Sequence, residues 1–388
     1  MPRNTLFMQV NALFQLLLLL PLLFGWGCQN NAKPTADMMT FYIGTYTQKE
    51  GHVDGKGDGI YKMQFDPATL ELRVTDTIRG MANPSFIALS PDRQVLYAVN
   101  EISPGTDAIG RFEAYSLQPA SFGQRQASVG TGAHAPCHIS LEKNAQLAVV
   151  SNYVGGVVCA FSLPLTNQTT PQLIQLPNVP KTSPRQEASH PHSSVISPDG
   201  RFVYVADLGT DRVMAYQYDR TQQKLVPAET PFVEMPDGAG PRHMAFGSDG
   251  KILYILNELS NTVAVVQVLE NGGLQQRQLL PTLPASFQGA NTTADIHLSK
   301  DGRFLYASNR GHNSIAVFRI DSEGAWQALG HVDTHGKTPR NFHLTNDGHW
   351  LLVANQDTDN ISLFDLRKGD LPVFVKSVAV STPVCIVE

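Results

Sequence analysis

Residues 240–262, GPRHMAFGSDGKILYILNELSNT, set the architecture of the whole chain. Two apolar runs, Met244–Phe246 and Ile252–Leu256, flank Ser248-Asp249-Gly250, a tight-turn signal. The stretch therefore reads as an antiparallel β-hairpin. In such a hairpin the start of the first strand lies beside the end of the second. Arg242 and His243 are thus expected at the same edge as Asn257 and Glu258, opposite the turn.

The pattern recurs with drift. NPSFIALSPDRQVLYAVNE begins at Asn83, APCHISLEKNAQLAVVSNY at Ala135 and HPHSSVISPDGRFVYVADL at His190. TADIHLSKDGRFLYASNR begins at Thr293 and TPRNFHLTNDGHWLLVANQ at Thr338. Each copy gives a loop, an apolar strand, a turn, a second apolar strand and a polar end, usually Asn. A third strand follows, such as Arg212–Tyr216 or Ser314–Phe318, and then a variable segment sufficient for a fourth. A period of roughly 45–55 residues with four strands per unit is that of a β-propeller blade. Phe41–Thr45 looks like a second strand lacking its first, and Thr382–Val387 like a first strand lacking its second. Joined, they complete one blade from both termini and leave no open sheet edge. The expectation is an all-β, seven-bladed propeller of four-stranded antiparallel blades over 40–388.

The N-terminal segment lies outside that repeat. Arg3 precedes a Leu-dominated run from Ala12 to Phe24, too short for a comfortable membrane span, which fits a secretory signal peptide over 1–28. Gly27-Cys28 followed by Gln29 is similar to a bacterial lipoprotein junction, with Cys28 as the lipidated mature N-terminus; an ordinary cleaved signal is the alternative. Residues 29–39 read as a polar tether. The expected location is exported, in the periplasm or as an outer-membrane or cell-surface lipoprotein, with a possible membrane tether through Cys28.

The 388 residues carry 29 Lys and Arg against 34 Asp and Glu, a balance that argues against nucleic-acid binding. Of four cysteines, Cys137, Cys159 and Cys385 sit in or beside apolar strands, and their odd number argues against a disulfide framework. No pair has zinc-ligand spacing. Asp54 and Asp58 lack the spacing and closing carboxylate of a calcium loop, so residues 51–59 are expected to form a solvated surface loop. A monomer without metal or cofactor is expected.

Equivalent positions around the ring show where chemistry gathers. Just after the opening loop stand Ser85, Cys137, His192, Arg242, Ala294 and Arg340; after the second strand stand Glu101, Tyr153, Leu208, Glu258, Arg310 and Gln356. Arginines suit an anionic ligand, since guanidinium offers paired donors to carboxylate or phosphate. A carboxylate near a substrate carbonyl can serve as general base, and a nearby cation can stabilise the oxyanion. Glu258, His192, Arg242 and Arg310 are the catalytic candidates; Arg340, His243, Asn257 and Asn309 are the substrate-binding candidates. Each has a structural alternative: Glu258 as an ion-pair partner, His192 as a strand-end hydrogen bonder, and His243 as a packing residue, because strand alternation turns it away from Arg242. His297 and His343 read as core or channel histidines, and Asp295 as a channel residue. Neither a nucleophile elbow nor a phosphate-cradling or dinucleotide loop occurs.

The linked set YIGTYT, HPHSSVISPDGRFVYVADLGTDRV, GPRHMAFGSDGKILYILNELSNTV and DGRFLYASNRGHNSIAVF resembles the seven-bladed lactonase family, which includes propeller-type 6-phosphogluconolactonases and fungal carboxy-muconate lactonizing enzymes. The resemblance runs from about Thr40 to the C-terminus. It implies lactone hydrolysis or formation at the channel mouth, with no required metal and a small anionic lactone as partner. The His, two Arg and Glu implied for the muconate branch fall on His192, Arg242, Arg310 and Glu258. Glu258 would activate water, the arginines would hold the anionic group and the oxyanion, and His192 would assist. A 6-phosphogluconolactonase-like hydrolase is the favoured expectation. Export conflicts with a substrate made in the cytoplasm, so another sugar or organic-acid lactone stays open. The rivals are a non-catalytic exported propeller that binds carbohydrate or protein, and a quinone redox propeller, against which the lack of Trp-rich repeats counts.

Overall fold

The computed structural model describes residues 38–51, 53–105, 109–320 and 325–388. The expected signal segment, Cys28 and the tether up to residue 37 lie outside the described residues. Seven four-stranded antiparallel sheets form the body, each built outward from its first strand. Blade 2 runs through Pro84–Leu89, Val95–Asn100, Arg111–Ser116 and Arg125–Gly130; blades 3 to 7 open on His134–Leu141, Pro191–Ile196, Pro241–Phe246, Thr292–Leu298 and Pro339–Leu344. In blade 1 the C-terminal strand Pro383–Val387 lies innermost and pairs with Met39–Thr45, which pairs with Ile60–Asp66 and then Glu71–Ile78. The ring closes as the split copy requires.

The second strands read as near-continuous apolar runs because both their faces are covered. Phe202–Asp207 and Trp350–Asn355 are buried along their full length. The core lies between neighbouring blades: Tyr204 and Ala215 of blade 4 pack with Leu253, Ile255 and Val266 of blade 5. The Asp-Gly turns follow one pattern. Ser197 Oγ donates to Asp199 Oδ1 at 2.6 Å and accepts from Phe202 N at 2.9 Å, and Ser299 and Asp301 repeat it before Gly302, whose φ of +71° a glycine adopts freely.

The opening of each inner strand is irregular in the same way. The register shifts between Pro84 and Phe86, Pro136 and His138, Pro191 and Ser193, Pro241 and His243, and Pro339 and Asn341. The bulged residues are Ser85, Cys137, His192, Arg242 and Arg340. A β-bulge leaves one residue out of the ladder and re-aims its side chain. Blade 6 shifts over Ala294 and Asp295.

The described part of the loop expected over 51–59 is only half solvated: Val53, Gly57 and Gly59 are buried, while Gly51, Asp54, Lys56 and Asp58 are exposed. Lys49–Glu50 pairs with Val53–Asp54, Val53 packs with Tyr46 and Val384, and Lys56 Nζ reaches Asp359 at 2.8 Å. Lys56 N donates to Thr382 Oγ1 at 3.0 Å, so the segment fastens the two termini. No helix among the described residues is long and apolar enough to cross a membrane.

Candidate active site

The hairpin edge forms as its pattern dictates. Pro241 pairs with Asn257, and Glu258 N donates to Gly240 O at 2.7 Å. Glu101 N and Gln356 N donate to Asn83 O and Thr338 O in the same manner, each at 3.0 Å. This tie brings the residue after each second strand beside the bulge of the first, on one face of the ring.

On that face lies a cavity of about 610 Å³, lined by Glu101, Tyr153, Arg185, His192, Glu258, Arg310, Arg340 and Gln356, with Asp357 also in its wall. Glu258 is the more deeply buried of its two glutamates. Its Oε1 lies 2.9 Å from Nη2 of Arg310 and accepts from Nη2 of Arg185 at 2.9 Å; Oε2 lies 2.9 Å from Nε of Arg242. That last pair is poorly aligned for a hydrogen bond, leaving Oε2 and Arg242 Nε without an aligned partner, as is Arg310 Nε. Burial pushes the Glu258 carboxyl up, but Arg310, Arg242 and Arg185 outweigh it and hold it at about 2.

Arg340 lies 3.4 Å from Glu101 Oε1 and 5.3 Å from the centre of the Tyr46 ring. The Tyr46 hydroxyl hydrogen-bonds Glu101. Burial pulls the Arg340 guanidinium down, but Tyr46, Glu101 and Glu258 outweigh it and hold it above its ordinary range. His192 presents its ring edge-on to Tyr153 at 5.5 Å. Burial, with Arg242 and His243 beside it, holds His192 well below the ordinary imidazole value, so it is neutral near pH 7. Cys137 lies under His192, its Sγ 3.2 Å from His192 O; burial, reinforced by Glu101, pushes the thiol up and leaves it a poor nucleophile.

The structure thus brings together Glu258, His192, Arg310 and Arg340, and departs from the remaining expectations in three ways. Arg242 is beside Glu258 but beneath the cavity, with Nη1 donating to Ala294 O, so it supports the carboxylate rather than facing a ligand. Asn257 and Asn309 do not line the cavity. Their amides are consumed within the blades, Asn257 Nδ2 on Thr262 Oγ1 at 3.0 Å and Asn309 Nδ2 on Thr282 O at 2.8 Å. Strand alternation explains this, since each precedes the residue that does line it. His243 faces the bore, because the bulge at Arg242 breaks the alternation that would have turned it away. Its Nδ1 donates to Asp295 Oδ1 at 2.8 Å, and its ring lies 5.4 Å from that of His138.

Arg185 was missed by sequence reasoning, as was the pairing of Glu101 with Arg340. Arg185 comes from the connection between the short outer strand Gln172–Gln175 and Pro191. The length of that connection is the one signal that could have pointed to it, because long connectors in compact folds tend to carry function.

Among the described residues no cluster of His, Cys, Asp or Glu is placed to hold a metal ion. A second cavity of about 600 Å³ lies among the turns of blades 6 and 7, but its one arginine, Arg303, pairs with Asp301 at the surface at 2.7 Å, and it holds no buried charge. A more apolar groove, with Leu173, Met214 and Phe232, lies along the outer strands of blades 3 and 4.

The family model described as a lactonase, 7-bladed beta-propeller, matches residues 40–388. A 6-phosphogluconolactonase of Bacillus subtilis is 30% identical over 354 residues, covering 89% of this chain and 97% of that protein. One from Formosa agariphila is 31% identical over 310 residues, 78% of this chain and 85% of its own. Among solved structures, a periplasmic gluconolactonase of Pseudomonas aeruginosa superposes with a TM-score of 0.80 at 33% identity, covering 90% of this chain and 98% of its own.

Proposed function

The chain belongs to the seven-bladed β-propeller lactonase family, and from that premise we propose that it hydrolyses a sugar-acid lactone bearing an anionic group, with Glu258 as general base. The observation that carries the reading is a buried, ionised carboxylate, Glu258, in the wall of a cavity it shares with Arg185, Arg310 and Arg340. Gluconolactonase and 6-phosphogluconolactonase relatives support the reaction class.

Glu258 takes a proton from water as the water oxygen bonds to the lactone carbonyl carbon. The charge that develops on the carbonyl oxygen lies against the Arg310 guanidinium, which lines the cavity. Collapse breaks the ring C–O bond, and the proton on Glu258 passes to the leaving alkoxide. Arg242 holds Glu258 in place and charged. Neutral His192 serves as a hydrogen-bonding group to the sugar. Export belongs to the same reading, supported by the likeness to a periplasmic protein; lipidation of Cys28 is a further proposal that rests on the residues Gly27-Cys28-Gln29, which the mass of the mature N-terminus tests, and an unmodified Cys28 would remove the anchor.

The test of the chemistry follows acid release from 6-phosphogluconolactone and glucono-1,5-lactone, corrected for spontaneous hydrolysis. Glu258→Gln should lower kcat about 10²- to 10⁴-fold, the usual worth of a general base. A thermal melt alongside shows whether the variant is folded, and Glu258→Asp keeps the charge if it is not. Folded Glu258→Gln turning over at the parent rate would take Glu258 out of the mechanism.

A further inference from the structure

Glu258 as it sits is a weak base. A carboxylate among three guanidinium groups has little affinity for a proton, and proton transfer slows as basicity falls. Two of the three cations are fixed. Arg242 and Arg310 sit on strands, with side chains 2% and 14% exposed, and both also donate to backbone carbonyls, Arg242 to Ala294 O of the next blade and Arg310 to Thr293 O of its own.

Arg185 differs in every respect. Its side chain is 46% exposed, and its Nε donates to the Tyr153 hydroxyl at 3.1 Å. It sits beside the anchored end of a short loop, residues 181–186, which Gln186 N also closes on Ser183 O at 3.1 Å. Lys181 N donates to Gln186 O at 2.8 Å, and buried Gln186 donates through Nε2 to Leu208 O at 2.9 Å and Asp211 Oδ1 at 2.8 Å. Residues 182–185 between those anchors are exposed. Arg185 itself adopts φ +72°, a left-handed conformation unfavourable for a non-glycine residue. The pose therefore depends on the contacts the guanidinium makes, and it has a second partner available whenever another oxyanion enters the cavity.

We propose that Arg185 reads the anionic substituent of the lactone: it leaves Glu258 Oε1 for the substrate's phosphate or carboxylate, and its departure frees Glu258 to accept the proton of the attacking water. The inference rests on the lactonase reading and adds the substrate class to it. The exchange trades one charge-assisted oxyanion contact for another, so it is close to balanced. A neutral lactone offers nothing in exchange and meets a carboxylate still paired three ways. Selectivity for charged lactones thus arises in binding and in base strength together. Tyr153 is the positioning residue that holds the guanidinium at the cavity wall.

The experiment compares the full-length protein with Arg185→Ala and Arg185→Lys on three lactones: 6-phosphogluconolactone, the carboxylate-bearing glucaro-1,4-lactone and neutral glucono-1,5-lactone. Arg185→Ala should raise KM for the charged lactone it reads about 10- to 100-fold, the worth of one charge-assisted contact. For the neutral lactone kcat should rise rather than fall, because Glu258 then has one cation fewer, and Arg185→Lys should restore part of the difference. Which charged lactone loses affinity identifies phosphate or carboxylate as the group read. Equal effects on charged and neutral lactones, or none, would overturn the assignment. Calorimetric binding of 6-phosphogluconate, glucarate and gluconate decides the point without turnover. Loss of preference for a charged acid in Arg185→Ala supports the role of Arg185 even if no lactone is hydrolysed, whereas an unchanged preference, or none in the parent, excludes it. Absence of hydrolysis by the parent would instead sink the lactonase reading.

Discussion

Asp295 shows how much of this molecule is decided at single residues. Oδ1 accepts from His243 Nδ1 at 2.8 Å and Ile296 N at 3.0 Å; Oδ2 accepts from His297 Nε2 at 2.9 Å, Asn341 Nδ2 at 2.6 Å and Phe342 N at 3.2 Å. One carboxylate thereby clasps blades 5, 6 and 7 beneath the cavity. Burial opposes its charge, but His297 and His243 hold it well below the usual 3.8; burial opposes the charge on His297 too, yet Asp295 raises it above 6.5. The two shifts act on stability in opposite pH directions. The Asp295 contribution is present above about pH 3.8 and is lost as pH falls; the His297 contribution is present below about pH 6.5 and is lost as pH rises through its raised value. Asp295→Asn should therefore cost about 1.5–3 kcal/mol, most between these limits and less on either side. Denaturant midpoints of parent and variant across pH 3–9 check it, and a difference independent of pH would remove the ion pair from the account. Glu258, Arg310 and His192 were legible in the sequence because each occupies a repeat position. Arg185 was not, because it belongs to no repeat.

At the scale of the element, the bulge after the first proline of the inner strand does most to shape the site. It turns His192, Arg242 and Arg340 out of the ladder and spoils the period-two reading that assigned His243 to the far side. Left-handed residues precede several of these prolines, Asn83, Ala135, Gly240, Thr338 and Thr382 among them. Such conformations in non-glycine residues gather where backbone geometry serves a site. The turns at the other end are simpler and more predictable. A Cβ added to Gly302 would come no nearer than 3.9 Å to another group, so Gly302→Ala should cost about 1–2 kcal/mol from its +71° φ alone. Ala145 occupies the left-handed region at +53° in a related turn, so Ala145→Gly should gain roughly 0.5 kcal/mol. Equilibrium unfolding of the two variants measures both signs; a loss for Ala145→Gly would mean that the turn is relaxed rather than strained.

For the whole molecule the deciding feature is closure. Pro383–Val387 supplies the inner strand of a blade whose other strands come from the N-terminal side of the propeller, and Ile386 N donates to Asn341 Oδ1 at 2.7 Å. Deleting residues 383–388 should expose Ile43 and Phe41 at an open edge and abolish cooperative folding, since an unpaired central strand invites association. Thermal melting and size-exclusion chromatography of the truncated protein test this. A sharp transition within a few degrees of the parent would show that the ring is held without its closing strand.

The sequence by itself determined the fold class, the blade count, the split blade and the face on which arginines and a carboxylate gather. All of these follow from a repeat whose strands must alternate, turn and pair in one way. It did not determine which of the gathered groups face the cavity. That depends on bulges that reset alternation by one residue and on a non-repeating loop that brings Arg185 to Glu258 of blade 5 from the connection between blades 3 and 4, and both become visible only when seven blades are packed around one axis. Nor could it say that Glu258 is held by three guanidinium groups at once, because they come from separate blades and a loop far apart in the chain.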